Sequence, residues 1–135
     1  MIGVLLITHG RYGEDLLASA SHVLGRPLEH VGHLEVSTRD DPAELLGRAR
    51  GLLHEIDDGS GVLVMTDMYG ATPCNVATAL IAEGNVEAVS GVSLPMLVRS
   101  LAYRDATLAK VRDKAIAGGT EGVVFINNDP CYAKR

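Results

Sequence analysis

A chain of 135 residues, 47% of them hydrophobic, is long enough to form one ordinary domain whose core needs neither metal nor disulfide. One Phe, four Tyr and no Trp leave that core to Leu, Val, Ile and Ala, the residues of parallel sheets covered by helices. A formal net charge of −5 gives no broad basic face and argues against nucleic acid as a partner.

Residues 2 to 7 (IGVLLI) are a short continuous apolar run, too short for a helix and rich in branched residues, and read as a buried strand ending near Thr8. From Glu14 to Leu24 the apolar residues Leu16, Leu17, Ala20, Val23 and Leu24 recur at helical spacing, and Gly25 and Pro27 supply the stop. Residues 31 to 36 (VGHLEV) alternate loosely, as expected of a half-exposed strand near a sheet edge. Asp41, Pro42 and Glu44 read as N-cap, first helical residue and acidic first turn of a helix carrying Leu45, Leu46, Ala49, Leu52, Leu53 and Ile56 on one stripe.

After a turn at DDGSG (57 to 61), GVLVMTD (61 to 67) is a third strand that again stops at a polar pair, Thr66-Asp67. The loop MYGATP (68 to 73) follows, with Thr72-Pro73 expected to cap and start the next helix through Val76, Ala77, Leu80 and Ile81. A fourth strand is expected over 86 to 92, then helices over roughly 95 to 103 and 105 to 117, with Gly118-Gly119 leading into EGVVFIN as a fifth strand. The expected domain is residues 1–127, with 128–135 a loosely held tail.

Strand and helix in alternation predict an α/β fold: a single-domain, open, mostly parallel sheet with helices on both faces, in flavodoxin-like order. In such sheets ligands sit beyond the carboxyl ends of the strands, where strand order reverses. The first and third strands are neighbours in that order, so His9 and Asp67 are expected to meet there. A carboxylate accepting the proton of one imidazole nitrogen fixes the tautomer and leaves the other lone pair free as a nucleophile. A histidine that attacks phosphorus creates a group whose oxygens need donors. Gly70 permits a nest of amides, Ala71 lies between it and Thr72, Thr72 adds a hydroxyl, and Pro73 begins a helix whose positive end would face an anion. Each residue alone has an ordinary structural role; their convergence from two strands on one crevice makes the case.

The THG of residues 8 to 10, VLVMTDMYGATPCNVA (62 to 77) and VSGVSLPMLV (89 to 98), in this order and spacing, resemble the IIA component of the mannose family of the bacterial sugar phosphotransferase system. The resemblance implies that His9 accepts a phosphoryl group from the histidine-containing phosphocarrier protein and passes it to a IIB component. It also implies that Asp67 holds the imidazole and that Thr72, where a serine is common, contacts phosphate. Met68, Tyr69, Pro95 and Met96 would form an apolar docking rim. No cofactor and no metal is implied. The family's dimers, in which the last strand pairs into the partner's sheet, give EGVVFIN an antiparallel, exchanged role. The IIB component would be a separate protein, and membrane permease components would be reached only indirectly.

Other readings stay open at this point: a regulator controlled by phosphorylation of His9, and the phosphoryl-donor subunit of dihydroxyacetone kinase. A histidine phosphatase is disfavoured because Thr8, not Arg, precedes His9. A receiver lacks the acidic pair for magnesium after its first strand, and a dinucleotide site lacks G-x-G-x-x-G. His22, His30, His33 and His54 show no zinc spacing, and the charges from Arg99 to Lys114 read as a solvated helix face. Cys74 and Cys131 have neither Cys-x-x-Cys nor framework spacing, as expected of free thiols in a reducing compartment. No basic stretch precedes the first apolar run, and no run approaches the roughly 18 to 20 residues that span a bilayer, so a cytoplasmic location is expected.

Overall fold

The computed structural model describes residues 1–133, with side chains through Cys131. Four parallel strands, β1 (Gly3–His9), β2 (Val31–Val36), β3 (Val62–Thr66) and β4 (Val86–Ser90), lie in the order β2-β1-β3-β4. That is the flavodoxin-like order the alternation predicts. The helices between and after them are α1 (Tyr12–Leu24), α2 (Pro42–Ile56), α3 (Thr72–Ile81), α4 (Leu94–Ala102) and α5 (Leu108–Glu121), followed by a short α6 (Pro130–Ala133).

The pleat of the two central strands divides the core. Leu5 and Ile7 of β1 with Val62 and Val64 of β3 point to one face, where Leu45, Ala49 and Leu53 of α2 and Val76, Ala77 and Leu80 of α3 cover them. Val4, Leu6, Leu63 and Met65 point to the other, under Ala20 of α1, Met96, Leu97 and Leu101 of α4, and Val111 and Ala115 of α5. All eight central side chains are fully buried. Each contributes on the order of 1.5–3 kcal/mol of transfer free energy, which pins the strands and therefore the loops at their tips.

Three expectations are corrected. The segment EGVVFIN forms no fifth strand in the single chain: α5 runs to Glu121, and Ile126–Asn128 make a turn of 3-10 helix. Val123, Val124, Phe125 and Ile126 are all exposed. A strand forms only beside a partner with free backbone groups, and this chain does not fold the segment back onto its own sheet. Gly118 and Gly119 do not end the helix but lie within it. A Cβ on Gly118 would sit 2.9 Å from the Pro95 carbonyl oxygen, and one on Gly119 would meet Met96 at 2.8 Å, so these glycines let α5 close on α4. Thr72 does not cap α3: the N-cap is Ala71, with Thr72 and Pro73 the first two helical residues. The expected tail over 128–135 contains the α6 turn, and its last two residues lie outside the described residues.

Candidate functional site at the strand tips

His9 is the last residue of β1, and the chain turns away at Gly10, whose φ is 51°. Gly10 donates its amide to the Val36 carbonyl at 3.2 Å, which anchors the turn to the end of β2. The buried hydroxyl of Thr8 accepts the Gly13 amide at 2.8 Å, so the strand itself caps α1. Gly13 is needed for that approach, since a Cβ there would stand 3.0 Å from the same hydroxyl. Tyr12 donates its hydroxyl proton to the Val92 carbonyl at 3.2 Å, tying α1 to the loop after β4.

Asp67 follows the end of β3, beside His9, and is the centre of the local electrostatics. One carboxylate oxygen, Oδ2, lies 2.7 Å from His9 Nδ1 and accepts the His9 backbone amide at 2.9 Å; Oδ1 accepts the Met68 amide at 3.0 Å. Burial alone would push this carboxyl up. The His9 amide, then the His9 ring, then the Met68 amide outweigh it and hold the carboxyl below its ordinary range. The Asp67 side chain is 13% exposed and the His9 side chain 48% exposed, so the acid is shielded while the ring faces solvent. An ionised Asp67 makes Nδ1 the protonated nitrogen of a neutral ring and leaves Nε2 with its lone pair.

The loop after Asp67 completes the corner. Gly70 has φ 84°, a conformation that glycine adopts without strain. Ala71 gives α3 no side-chain cap, and the first helical hydrogen bond runs from the Asn75 amide to the Ala71 carbonyl. The Thr72 and Cys74 amides therefore belong to the orphan donors of a helix N-terminus, and the Thr72 side chain is exposed beside them. α2, α4 and α5 are each capped by their own Asp41, Ser93 or Thr107 side chain. α1 and α3, the helices that start next to His9 and Asp67, have no such residue at their N-caps.

Among the expected rim residues, Met68 and Tyr69 are well exposed, at 56% and 83%, and Pro95 is exposed as well. Met96 is not: at 4% exposure it packs in the core against α5 and cannot belong to a docking rim. Its place after a helix-starting proline looked accessible, but it falls on the inner stripe of α4. Sequence reasoning missed Thr8 and Gly13 as supports of the turn, although two glycines bracketing the start of a helix are a signal of close approach. It also missed Thr66, whose buried hydroxyl has no hydrogen-bond partner among the described residues and lines a cleft of about 210 Å³ with Cys74 and Ser90. Nothing in a strand sequence marks such a residue. Among the described residues no group of three or more His, Cys, Asp or Glu could hold a metal ion, and no helix is long and apolar enough to cross a membrane.

Residues 3–116 match the family described as PTS system fructose IIA component. The chain is 30% identical over 132 residues to the PTS system mannose-specific EIIAB component of Escherichia coli K12, a match that takes in 96% of this chain and 41% of that protein. The chain thus spans about two-fifths of the length of that relative. Against the PTS system fructose-specific EIIA component of Bacillus subtilis it is 27% identical over 106 residues, 78% of this chain and 72% of that one. In three dimensions it resembles the phosphotransferase system component EIIA of Streptococcus agalactiae, with a TM-score of 0.85 and 25% identity over 96% of this chain and all of the other. With the fold, the order of motifs and the sequence match in agreement over most of its length, the chain belongs to the mannose and fructose family of phosphotransferase-system IIA components.

Proposed function

We propose that this chain is a phosphoryl carrier in which His9 Nε2 takes a phosphoryl group from the histidine-containing phosphocarrier protein and hands it to a IIB component, and so serves sugar uptake. The observation that carries this reading is the 2.7 Å contact between His9 Nδ1 and Asp67, which leaves the opposite nitrogen free at an exposed strand tip. In the accepting step the Nε2 lone pair forms an N–P bond while the N–P bond of the incoming phosphohistidine breaks, its electron pair going to the leaving nitrogen. The incoming ring departs neutral if it arrives protonated on its other nitrogen. The positive charge gained by His9 is held at Nδ1–H against Asp67. The exposed Thr72 hydroxyl and the amides of Gly70, Ala71, Thr72 and Cys74 are the donors for the phosphoryl oxygens. Met68, Tyr69 and Pro95 offer an apolar rim on which either partner could dock.

A second copy of the chain is part of this reading. The outer edge of β4 is unpaired among the described residues, and Val123 to Ile126 form an exposed apolar run of strand-forming residues. Exchange of that run onto the partner's β4 would remove both liabilities. Sedimentation should show a dimer, and a monomer at all concentrations would overturn the exchange. The free thiols Cys74 and Cys131 fit a cytoplasmic setting.

The deciding experiment is incubation with phosphoenolpyruvate, the general enzyme of the system and the phosphocarrier, followed by mapping of the label. An acid-labile, base-stable phosphate on His9 is expected. Label on serine or aspartate, or none, would overturn the proposal.

A further inference from the structure

Arg11 stands where helix physics disfavours it. It is the N-cap residue of α1, with φ −89° and ψ 9°, and gives the helix no side-chain hydrogen bond. N-caps favour Ser, Thr, Asp or Asn, and the positive end of a helix dipole repels a cation. The capping that Arg11 fails to supply comes from Thr8 instead. The guanidinium is 70% exposed and meets Glu14 only at 3.5 Å, an arrangement that holds its partners weakly. Arg99 and Arg112, by contrast, reach carboxylates on other elements of the fold.

A residue that breaks a local rule without a structural gain points to function. Arg11 is two positions from His9, so their Cα atoms lie within about 7 Å, a gap a long arginine side chain spans. Asp67 occupies the Nδ1 side of the ring. A phosphoryl group on Nε2 would therefore stand away from that carboxylate, with two or three exposed oxygens and no fixed positive side chain among the groups described above. A guanidinium matches two such oxygens with parallel hydrogen bonds.

We propose that Arg11 is a further catalytic residue, which leaves Glu14 as the phosphoryl group arrives and clamps two of its oxygens by a bidentate ion pair. Arg11 makes no covalent bond and transfers no proton; it stabilises charge on the group that moves between nitrogens. This rests on the carrier reading and adds to it a cation supplied by this chain.

The test is a phosphorus NMR titration of the phosphorylated protein together with the rate of phosphoryl acceptance, for wild type and variants. Arg11→Gln should raise the pKa of the phosphoryl group on His9, because a neighbouring cation favours the dianion, and should slow acceptance about tenfold. Arg11→Lys should recover part of both effects, as a point charge without the planar fork. Glu14→Gln, which frees the guanidinium, should shift the phosphoryl pKa the opposite way. Arg48→Gln, on α2, serves as a remote control and should leave both readouts unchanged. A structural role for Arg11 would not move the phosphoryl titration. Phosphate on His9 with an unaltered titration and rate in Arg11→Gln refutes the clamp alone. A wild-type protein that takes no phosphate on His9 refutes the carrier reading and the clamp with it.

Discussion

The two ends of the sheet are built differently. At the amino ends of the strands almost every polar group is matched: the terminal amine meets Asp58 and Ser60, Asp57 takes the Gly59 and Gly61 amides, and Asn85 donates to the Ser60 carbonyl. Arg104, 5% exposed, reaches across to the carbonyls of Ile2 and His30 at 2.9 and 2.8 Å, and so holds His30 in a left-handed conformation with φ 52°. At the carboxyl ends two helices start without caps of their own, an imidazole is half exposed and the Thr66 hydroxyl is buried without a partner among the described residues. One end is saturated with internal bonds and serves stability. The other leaves the first amides of α3 open to solvent, where an anion can take them.

That contrast can be broken by substitutions that separate stability from transfer. The largest effect expected is His9→Ala, which should abolish phosphoryl acceptance while leaving the melting temperature nearly unchanged, since the ring is half exposed; scanning calorimetry beside the labelling assay checks both halves. At the opposite end Arg104→Ala should do the reverse. The buried Ile2 carbonyl loses its guanidinium donor while the His30 carbonyl keeps only the Val4 amide, and the cost should be about 1–3 kcal/mol in urea unfolding, with His9 labelling retained below the transition.

Asp67→Asn should slow acceptance by roughly 10- to 100-fold, because the ring loses the charge that fixes its tautomer and supports its positive form. Its pH signature has a definite sign. The folded carboxyl lies below its ordinary value, so its stabilising contribution is fully present above about pH 4 and is lost as pH falls through the lower folded value. Unfolding free energies of wild type and Asp67→Asn should therefore converge as acidification carries the carboxyl through its lowered folded value. A gap that stayed open once the carboxyl is protonated would contradict the geometry. The smallest effect belongs to Thr72→Ala: an exposed hydroxyl with no capping duty should cost the fold less than about 0.5 kcal/mol, yet shorten retention of the phosphoryl group a few-fold, measured as the hydrolysis rate of the labelled protein.

Much of this was legible before any coordinates. IGVLLI and GVLVMTD could only be buried strands, and each stops at a polar residue, so the alternation of elements placed His9 and Asp67 at adjacent tips. Asp41-Pro42 and the stripe from Leu45 to Ile56 likewise foretold α2 and its inner face. The misreadings share a cause. Gly118-Gly119 looked like a helix end because intrinsic propensity says so, but close packing against Pro95 and Met96 prevailed. Met96 looked like rim because a loop residue next to a site is often exposed; helix phase turned it inward. Arg11 and Ala71 as N-caps could be read only once the helix starts were known to within one residue.

The sequence by itself determined the four parallel strands, which residues stand at their tips and which two side chains meet there, because these follow from local periodicity and from the few ways a parallel sheet can be wound. Tertiary structure alone decided the fate of Val123 to Ile126, the inward turn of Met96 and the solvent-facing nitrogen of His9. Those depend on which groups are left without partners once the core has closed, and no local pattern encodes that.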